Sequence, residues 1–237
     1  MNDSHGSEEA RIRAAYARMS REFPVAHWGW NRPANLFFHT GIVRGAIELL
    51  DQARLYPVSG LRIADIGCGS GTWLCEFVQW GASPCDLYGI DLLADRAAAA
   101  RGRLPTAQIV TGSAGELPWE DASFDLTTQF VVFSSILDDT MRRRVAGEML
   151  RVLRPGGHVL WYDLRRDNPG NRSVRCVPRD ELRSLFPGCP MRLMSATLAP
   201  PLARAVTPVS WTAATVLERI GWLRTHYLAL IRKPGRE

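Results

Sequence analysis

Hydrophobic and polar positions change their period several times along the chain. From about Ser7 to Glu22 the spacing is helical and mostly polar, and it predicts a helix. An aromatic stretch runs from Trp28 to His39, punctuated by Gly29, Pro33 and Gly41. Beyond it Ile42, Val43, Ala46, Ile47, Leu49 and Leu50 fall on one helical face, and Pro57 and Gly60 close that section. From Leu61 onward short apolar runs alternate with helical segments. The runs at 61–66, 87–90, 108–111, 124–132, 158–162, 192–198 and 226–231 read as strands. The segments at 72–80, 94–103, 140–153 and 179–185 read as helices, the third closed by Pro155, Gly156 and Gly157. Strand–helix alternation of this kind implies a mostly parallel sheet with helices on both faces. The segment 200–223 is too long for a hairpin and carries a helical stretch near 211–222.

Composition narrows the class without changing that picture. The chain has 237 residues, 46% hydrophobic and 22% charged, which excludes a disordered chain and supports a real core. No apolar run is long enough to span a membrane. The first nine residues are polar and acidic, unlike a signal peptide, so a cytoplasmic location is expected. Five cysteines without a C-x-x-C pair point to reduced thiols, with neither a disulfide framework nor a metal site. The net charge of +5 is uneven: +1 over 1–60, −5 over 61–150 and +9 over 151–237. Every basic residue but Lys233 is Arg, which fits a coding bias as well as an anionic partner.

The most informative segment runs from Ile63 through Asp65, Gly67, Cys68, Gly69 and Gly71 to Thr72 and Trp73, between a buried strand and a helix. Glycines there let the backbone turn tightly and approach a ligand, and the helix start offers unpaired N–H groups. Asp65 precedes the glycines, where a carboxylate suits a ligand with a cationic amino group rather than a phosphate. Asp91 ends the second strand, 20 residues past Gly71, where it can accept both hydroxyls of a ribose. Glycine loop and ribose acid together indicate an adenosine-containing ligand. Thr72 stands where a dinucleotide fingerprint would need its third glycine.

These motifs resemble the class I S-adenosylmethionine-dependent methyltransferases, in particular the group with a methyltransferase type 11 domain. Asp65-x-Gly67-x-Gly69-x-Gly71 is similar to their first motif and Asp91 to their ribose-binding acid. The run from Gly112 to Asp125 and the run from Leu150 to Gly157 are similar to their approaches to the fourth and fifth strands. The resemblance implies a Rossmann-like seven-stranded sheet, S-adenosylmethionine as cofactor and S-adenosylhomocysteine as product. It also implies site roles. Asp65 and Gly67, with Cys68 beside them, would face the methionine part, and Gly69 and Gly71 would let the backbone pass. Leu92 would pack on the adenine, Ser113 and Ala114 would edge it, and Gln129 would lie near the transferred methyl. Ser113 replaces the Asp usual in the family, and a hydroxyl accepts with less charge assistance. The runs 200–204 and 223–228 also resemble a bacterial subgroup, some of whose members act on surface sugars or secondary metabolites.

Acceptor residues are expected at the carboxyl ends of the strands and in the N-terminal region. Candidates are Tyr16, Trp28, Trp30, Phe130, Phe133, Ser134, Arg165 and Arg166. The family's common histidine after the fourth strand is absent, so His39, His27 and Asp163 are the candidate bases. For each, a purely structural role is the competing account. Arg165 and Arg166, with Arg172, Arg175 and Arg179, suit an anionic small-molecule acceptor. No basic-plus-aromatic motif points to nucleic acid. Residues 1–58 are expected to form a helical cap or lid, and 59–237 the methyltransferase domain with its helical insertion. The expected reaction is methylation of a small molecule at oxygen, with nitrogen, carbon or a non-catalytic partner subunit as alternatives. Oligomeric state is not readable from the sequence.

Overall fold

The computed structural model describes residues 3–23, 27 and 29–235. Its strands form one sheet: β1 (Ile63–Ile66), β2 (Leu87–Asp91), β3 (Gln108–Thr111), β4 (Phe124–Phe130), β5 (Leu153–Leu164), β6 (Met191–Leu198) and β7 (Arg224–Arg232). The spatial order is β3-β2-β1-β4-β5-β7-β6, parallel except for β7, which runs antiparallel to both neighbours. The helices are α1 (Asp3–Glu22), α2 (Pro33–Gln52), α3 (Thr72–Gln79), α4 (Ala94–Arg103), α5 (Asp139–Val152), α6 (Arg179–Leu185), α7 (Pro200–Val206) and α8 (Trp211–Glu218). The expected mostly parallel seven-stranded sheet is what forms. Among the described residues no helix is long and apolar enough to cross a membrane, and no cluster could hold a metal ion.

Burial on both faces explains the continuous apolar strands. One face carries α5 and α6 through Met141, Val145, Met149, Val152, Leu182 and Leu185. The other carries α2, α3 and α4 through Ile42, Leu49, Leu50, Leu74, Phe77, Ala97 and Ala100. The alanine run of α4 has a packing reason: a Cβ on Gly71 would sit 3.1 Å from the Cβ of Ala100, so small residues let α4 close on the glycine loop. Helix α2 therefore packs on the sheet itself. What lies apart in the first 58 residues is α1, whose buried residues among those described are Glu8 and Ile12.

Two strand ends depart from expectation. The fourth strand was expected to reach Val132, but β4 stops at Phe130. Val131 adopts φ +62 and donates its N–H to Tyr162 O, while Gln129 Oε1 accepts the N–H of Val132 at 2.9 Å. A β-branched residue at positive φ is costly, and here it turns the chain at the sheet's functional edge. The fifth strand begins at Leu153, not His158. Pairing with β4 jumps from Phe124–Leu153 to Leu126–His158, so Arg154 to Gly157 form a bulge. A Cβ on Gly157 would meet the Arg154 and Asp125 carbonyl oxygens at 3.0 Å, which is why that bulge needs glycine.

The insertion between β6 and β7 folds as α7 and α8. Ala203 and Ala214 bury a small core with Leu198 and with Ala34 and Phe37 at the start of α2.

Candidate functional site

A cavity of about 1020 Å³ opens at the carboxyl ends of β1 to β4, beneath α1. Its floor is the glycine loop, which supplies Gly67, Cys68, Gly69 and Ser70. The glycines serve different ends. A Cβ on Gly67 (φ +70) would strike Val132 Cγ2 at 2.5 Å, whereas one on Gly69 (φ +55) would meet nothing within 4 Å. Gly69 is thus the loop position open to a ligand, and Gly67 and Gly71 are tight packing positions.

Asp91 lines the cavity and is itself the loop's anchor. Its Oδ2 accepts the N–H of Gly69 at 2.8 Å and its Oδ1 that of Leu93 at 2.9 Å. Leu92, Ser113 and Ala114 line the same wall, and Ser113 Oγ accepts the N–H of Gly115 at 3.1 Å. The hydroxyl proton of Ser113 remains available to donate.

Other expected ligand-facing residues stand back from the cavity. Asp65 is buried behind the loop. Its Oδ1 accepts the Thr128 hydroxyl at 2.6 Å, and its Oδ2 is buried without a partner among the described residues. Burial pushes its carboxyl up to about 7, against the pull of Thr128 and with a further push from Asp91. Gln129 was expected near the methyl group but is fully buried. Both ends of its amide serve the backbone, the Nε2 donating to Tyr162 O at 3.2 Å. Phe133 was expected on the acceptor site but packs in the core, 4.4 Å from the Trp161 ring. Phe130, Val131 and Val132 take its place on the cavity wall, because the chain turns at Val131.

The remaining acceptor candidates divide in the same way. Tyr16 and Trp30 line the cavity, and Trp28 lies outside the described residues. Arg165 and Arg166 do not reach it. Their guanidinium groups turn away to the carbonyls of Gly221 and Trp222, next to β7. Ser134 is buried beside Asp163. Asp163 is buried as well, accepting the N–H groups of Ser134 and Leu164. Burial raises its carboxyl to about 6, but no wall of the cavity includes it. The His27 carbonyl accepts from Asn35 Nδ2 at 2.9 Å, and its ring packs 4.7 Å from Phe23.

His39 stands just behind the cavity wall. Its Nε2 lies 2.7 Å from Glu76 Oε1, and Glu76 lines the cavity. Since the carboxylate accepts, Nε2 carries the proton. Trp30 and Trp73 flank the imidazole at 4.2 and 5.3 Å, and Trp73 stacks on Phe130 at 3.8 Å and 10°. An aromatic chamber with one carboxylate therefore adjoins the glycine loop. Sequence reading passed over Trp73 and Glu76. Their signal is positional: they sit three residues apart in α3, on the face just after the glycine loop.

Helix α1 roofs the chamber through polar ties. Glu8 accepts the N–H of Leu137 at 2.6 Å and pairs with Arg11, which also donates to Ser135 O. Arg13 donates to Leu92 O, Tyr16 OH lies 3.1 Å from Ser135 Oγ, and Arg96 lies 4.4 Å over the Tyr16 ring. The helix thus bridges the loops that follow β2 and β4.

A family model described as a methyltransferase domain matches residues 63–157, the segment that contains the glycine loop, Asp91 and Ser113. A protein of Encephalitozoon cuniculi named as a methyltransferase is 32% identical over 166 residues, covering 68% of this chain and 66% of that protein. The chain carries a methyltransferase domain and has the fold of the class I S-adenosylmethionine-dependent methyltransferases. A phthiotriol/phenolphthiotriol dimycocerosates methyltransferase of Mycobacterium ulcerans is 35% identical over 113 residues, 47% of this chain and 40% of that protein. The chain thus spans under half the length of that relative. The fold is also that of an S-adenosylmethionine-dependent methyltransferase from Mesorhizobium loti (TM-score 0.57, 21% identity, 81% of this chain and all of that one). It matches the [4+2]-cyclase SpnF as well (TM-score 0.60, 18% identity, 82% of this chain and 81% of that one).

S-adenosylmethionine is the cofactor of this methyltransferase family, and the chamber suits it. Asp91 has carboxylate lone pairs left that would suit ribose hydroxyls, Ser113 and Ala114 flank the next strand end, and Gly69 leaves open space for a close approach. The unpartnered Oδ2 of Asp65 lies behind the loop and not on the cavity wall, so it would act on a cationic group from beneath the glycines and not by contact.

Proposed function

We propose that the protein transfers a methyl group from S-adenosylmethionine to a largely apolar small molecule, with oxygen as the acceptor atom. The observation that carries this reading is Glu76 on the wall of an aromatic chamber, held by His39 at 2.7 Å. The cofactor supplies an electrophilic methyl on a sulfonium. The chain's part is to position the acceptor and to take its proton. Trp30, Trp73 and Phe130 would hold an apolar acceptor by its faces. Glu76 would accept the hydroxyl proton as the oxygen is methylated, and the Nε2–H of His39 would orient it. His39 thereby moves from base to positioning residue. A secondary metabolite or a sugar-type acceptor with an apolar face fits this chamber, and the relative named for dimycocerosates supports a small-molecule acceptor. An amine could also pair with Glu76, so nitrogen is the second choice.

The test is S-adenosylhomocysteine formation across hydroxylated, aminated and carbon-acid acceptors. Turnover on hydroxylated acceptors is expected, with Glu76→Gln lowering kcat by about a hundredfold and leaving S-adenosylhomocysteine affinity intact. Full activity in Glu76→Gln would remove the proton-transfer role. Tight cofactor binding with no turnover on any class would favour a non-catalytic partner subunit.

A further inference from the structure

Among the described residues, eight large hydrophobic side chains are exposed, and six of them belong to one insertion: Leu202, Val209, Trp211, Val216, Ile220 and Trp222. Val209 is 87% and Trp222 67% exposed, far beyond the ordinary scatter of single apolar residues on a surface. The insertion has its own buried side, in which Ala203 and Ala214 pack with Leu198, Ala34 and Phe37. Its apolar content is therefore surplus to folding.

Two further observations say what covers it. The first is charge. Residues 199–235 contain one acid, Glu218, which is buried and paired with Arg44. Arg204 and Arg219 are exposed among the apolar side chains, and Arg165 and Arg166 reach in to the carbonyls of Gly221 and Trp222. Residues 29–47 add an exposed Arg32 and no acid, Arg44 being the partner of Glu218. The second is continuity with the chamber. The Trp211 ring lies 5.1 Å from that of Phe37, and the exposed Leu36 and Trp30 lie just before it in the chain. Trp30, 51% exposed, is also a wall of the cavity.

We propose that the face formed by the α7–α8 insertion and the start of α2 docks on an anionic lipid surface, with the chamber mouth at the interface. Trp sits well at the boundary of headgroups and acyl chains, and exposed Arg adds attraction to anionic headgroups. A second copy of the chain is a poorer occupant. A two-fold interface would set these arginines against their own symmetry mates with no acid to neutralise them. Docking would give the aromatic chamber direct access to an acceptor dissolved in the bilayer. That last step rests on the proposed methyl transfer, whereas docking does not.

The experiment is co-sedimentation of the full chain with vesicles of phosphatidylcholine alone or of equal parts phosphatidylcholine and phosphatidylglycerol. The wild type should bind the anionic vesicles at least about tenfold better than the neutral ones. Val216→Ser with Trp222→Ser, and separately Arg204→Glu with Arg219→Glu, should each lose at least about tenfold of that binding. Thermal melts and calorimetry with S-adenosylhomocysteine check that both variants fold and keep the cofactor site, which separates failure of docking from failure of the methyltransferase reading. No sedimentation of the wild type with anionic vesicles, or equal binding by the variants, overturns the proposal. So does a dimeric wild type that becomes monomeric in the serine variant, because the face would then belong to a second copy.

Discussion

Asp91 anchors the glycine loop and is proposed to hold the ribose with the same carboxylate. It holds the glycine loop in place through the Gly69 N–H, and it stands on the wall where the ribose hydroxyls would bind. Asp91→Ala should therefore weaken S-adenosylhomocysteine by more than a simple contact count suggests. Each charge-assisted bond to the ribose is worth about 1.5–3 kcal/mol, and the loop loses its anchor as well. Calorimetry on the folded variant measures it, and unchanged affinity would rule out the ribose role. The placement of the glycine loop, Asp91, Leu92, Ser113 and Ala114 on the cavity wall was legible in the sequence because the motif is local: strand, turn, helix and acid follow in order. Gln129, Phe133, Arg165 and Arg166 were misplaced for non-local reasons. The turn at Val131 depends on a hydrogen bond to Tyr162 in the neighbouring strand, and it sends Phe133 into the core. The arginines are drawn aside by the segment that leads into β7. Glu76 escaped notice because a helical glutamate near a histidine 37 positions earlier leaves no trace in local periodicity.

At the scale of elements, α1 is held mainly by polar ties among the described residues. Ile12 is its one buried apolar side chain among the described residues, so its docking depends on Glu8, Arg11, Arg13 and Tyr16. Elements of this kind open at low cost, as a lid must. Burial by itself would raise the Glu8 carboxyl. The Arg11 hydrogen bond and the N–H groups of Leu137 and Asp138 outweigh it, and the net shift is below the ordinary 4.5. A carboxylate lowered in the docked state stabilises docking fully above its ordinary value and loses that contribution as pH falls through the lowered one. The protection of the amides across Ser7 to Glu22, taken relative to their intrinsic exchange rates at each pH, should accordingly fall on acidification below 4.5. Glu8→Gln should show fast exchange at neutral pH and little further change. An acid-insensitive wild-type helix would contradict the polar latch. The aromatic region that follows α1 was expected to share this lid role, but its second half, α2, is fixed on the sheet through Ile42, Leu49 and Leu50.

For the whole molecule, the architecture followed from alternation of period, since a sheet buried on both faces writes its strands as short apolar runs. Only strand ends and the pairing of β7 needed tertiary information. That pairing places the insertion, with its exposed tryptophans, beside the start of α2. The chamber is consequently assembled from distant parts: the glycine loop, two strand ends, the turn after β4, and α1 as roof. The account's central claim is that one cofactor engages all of them together. Hydrogen exchange of the full chain with and without S-adenosylhomocysteine tests it most directly. The account predicts slowed exchange at 67–71, 91–93 and 113–115 together with α1, and little change at α6 to α8. Protection confined to another surface, or binding that leaves both the glycine loop and α1 unprotected, would contradict it.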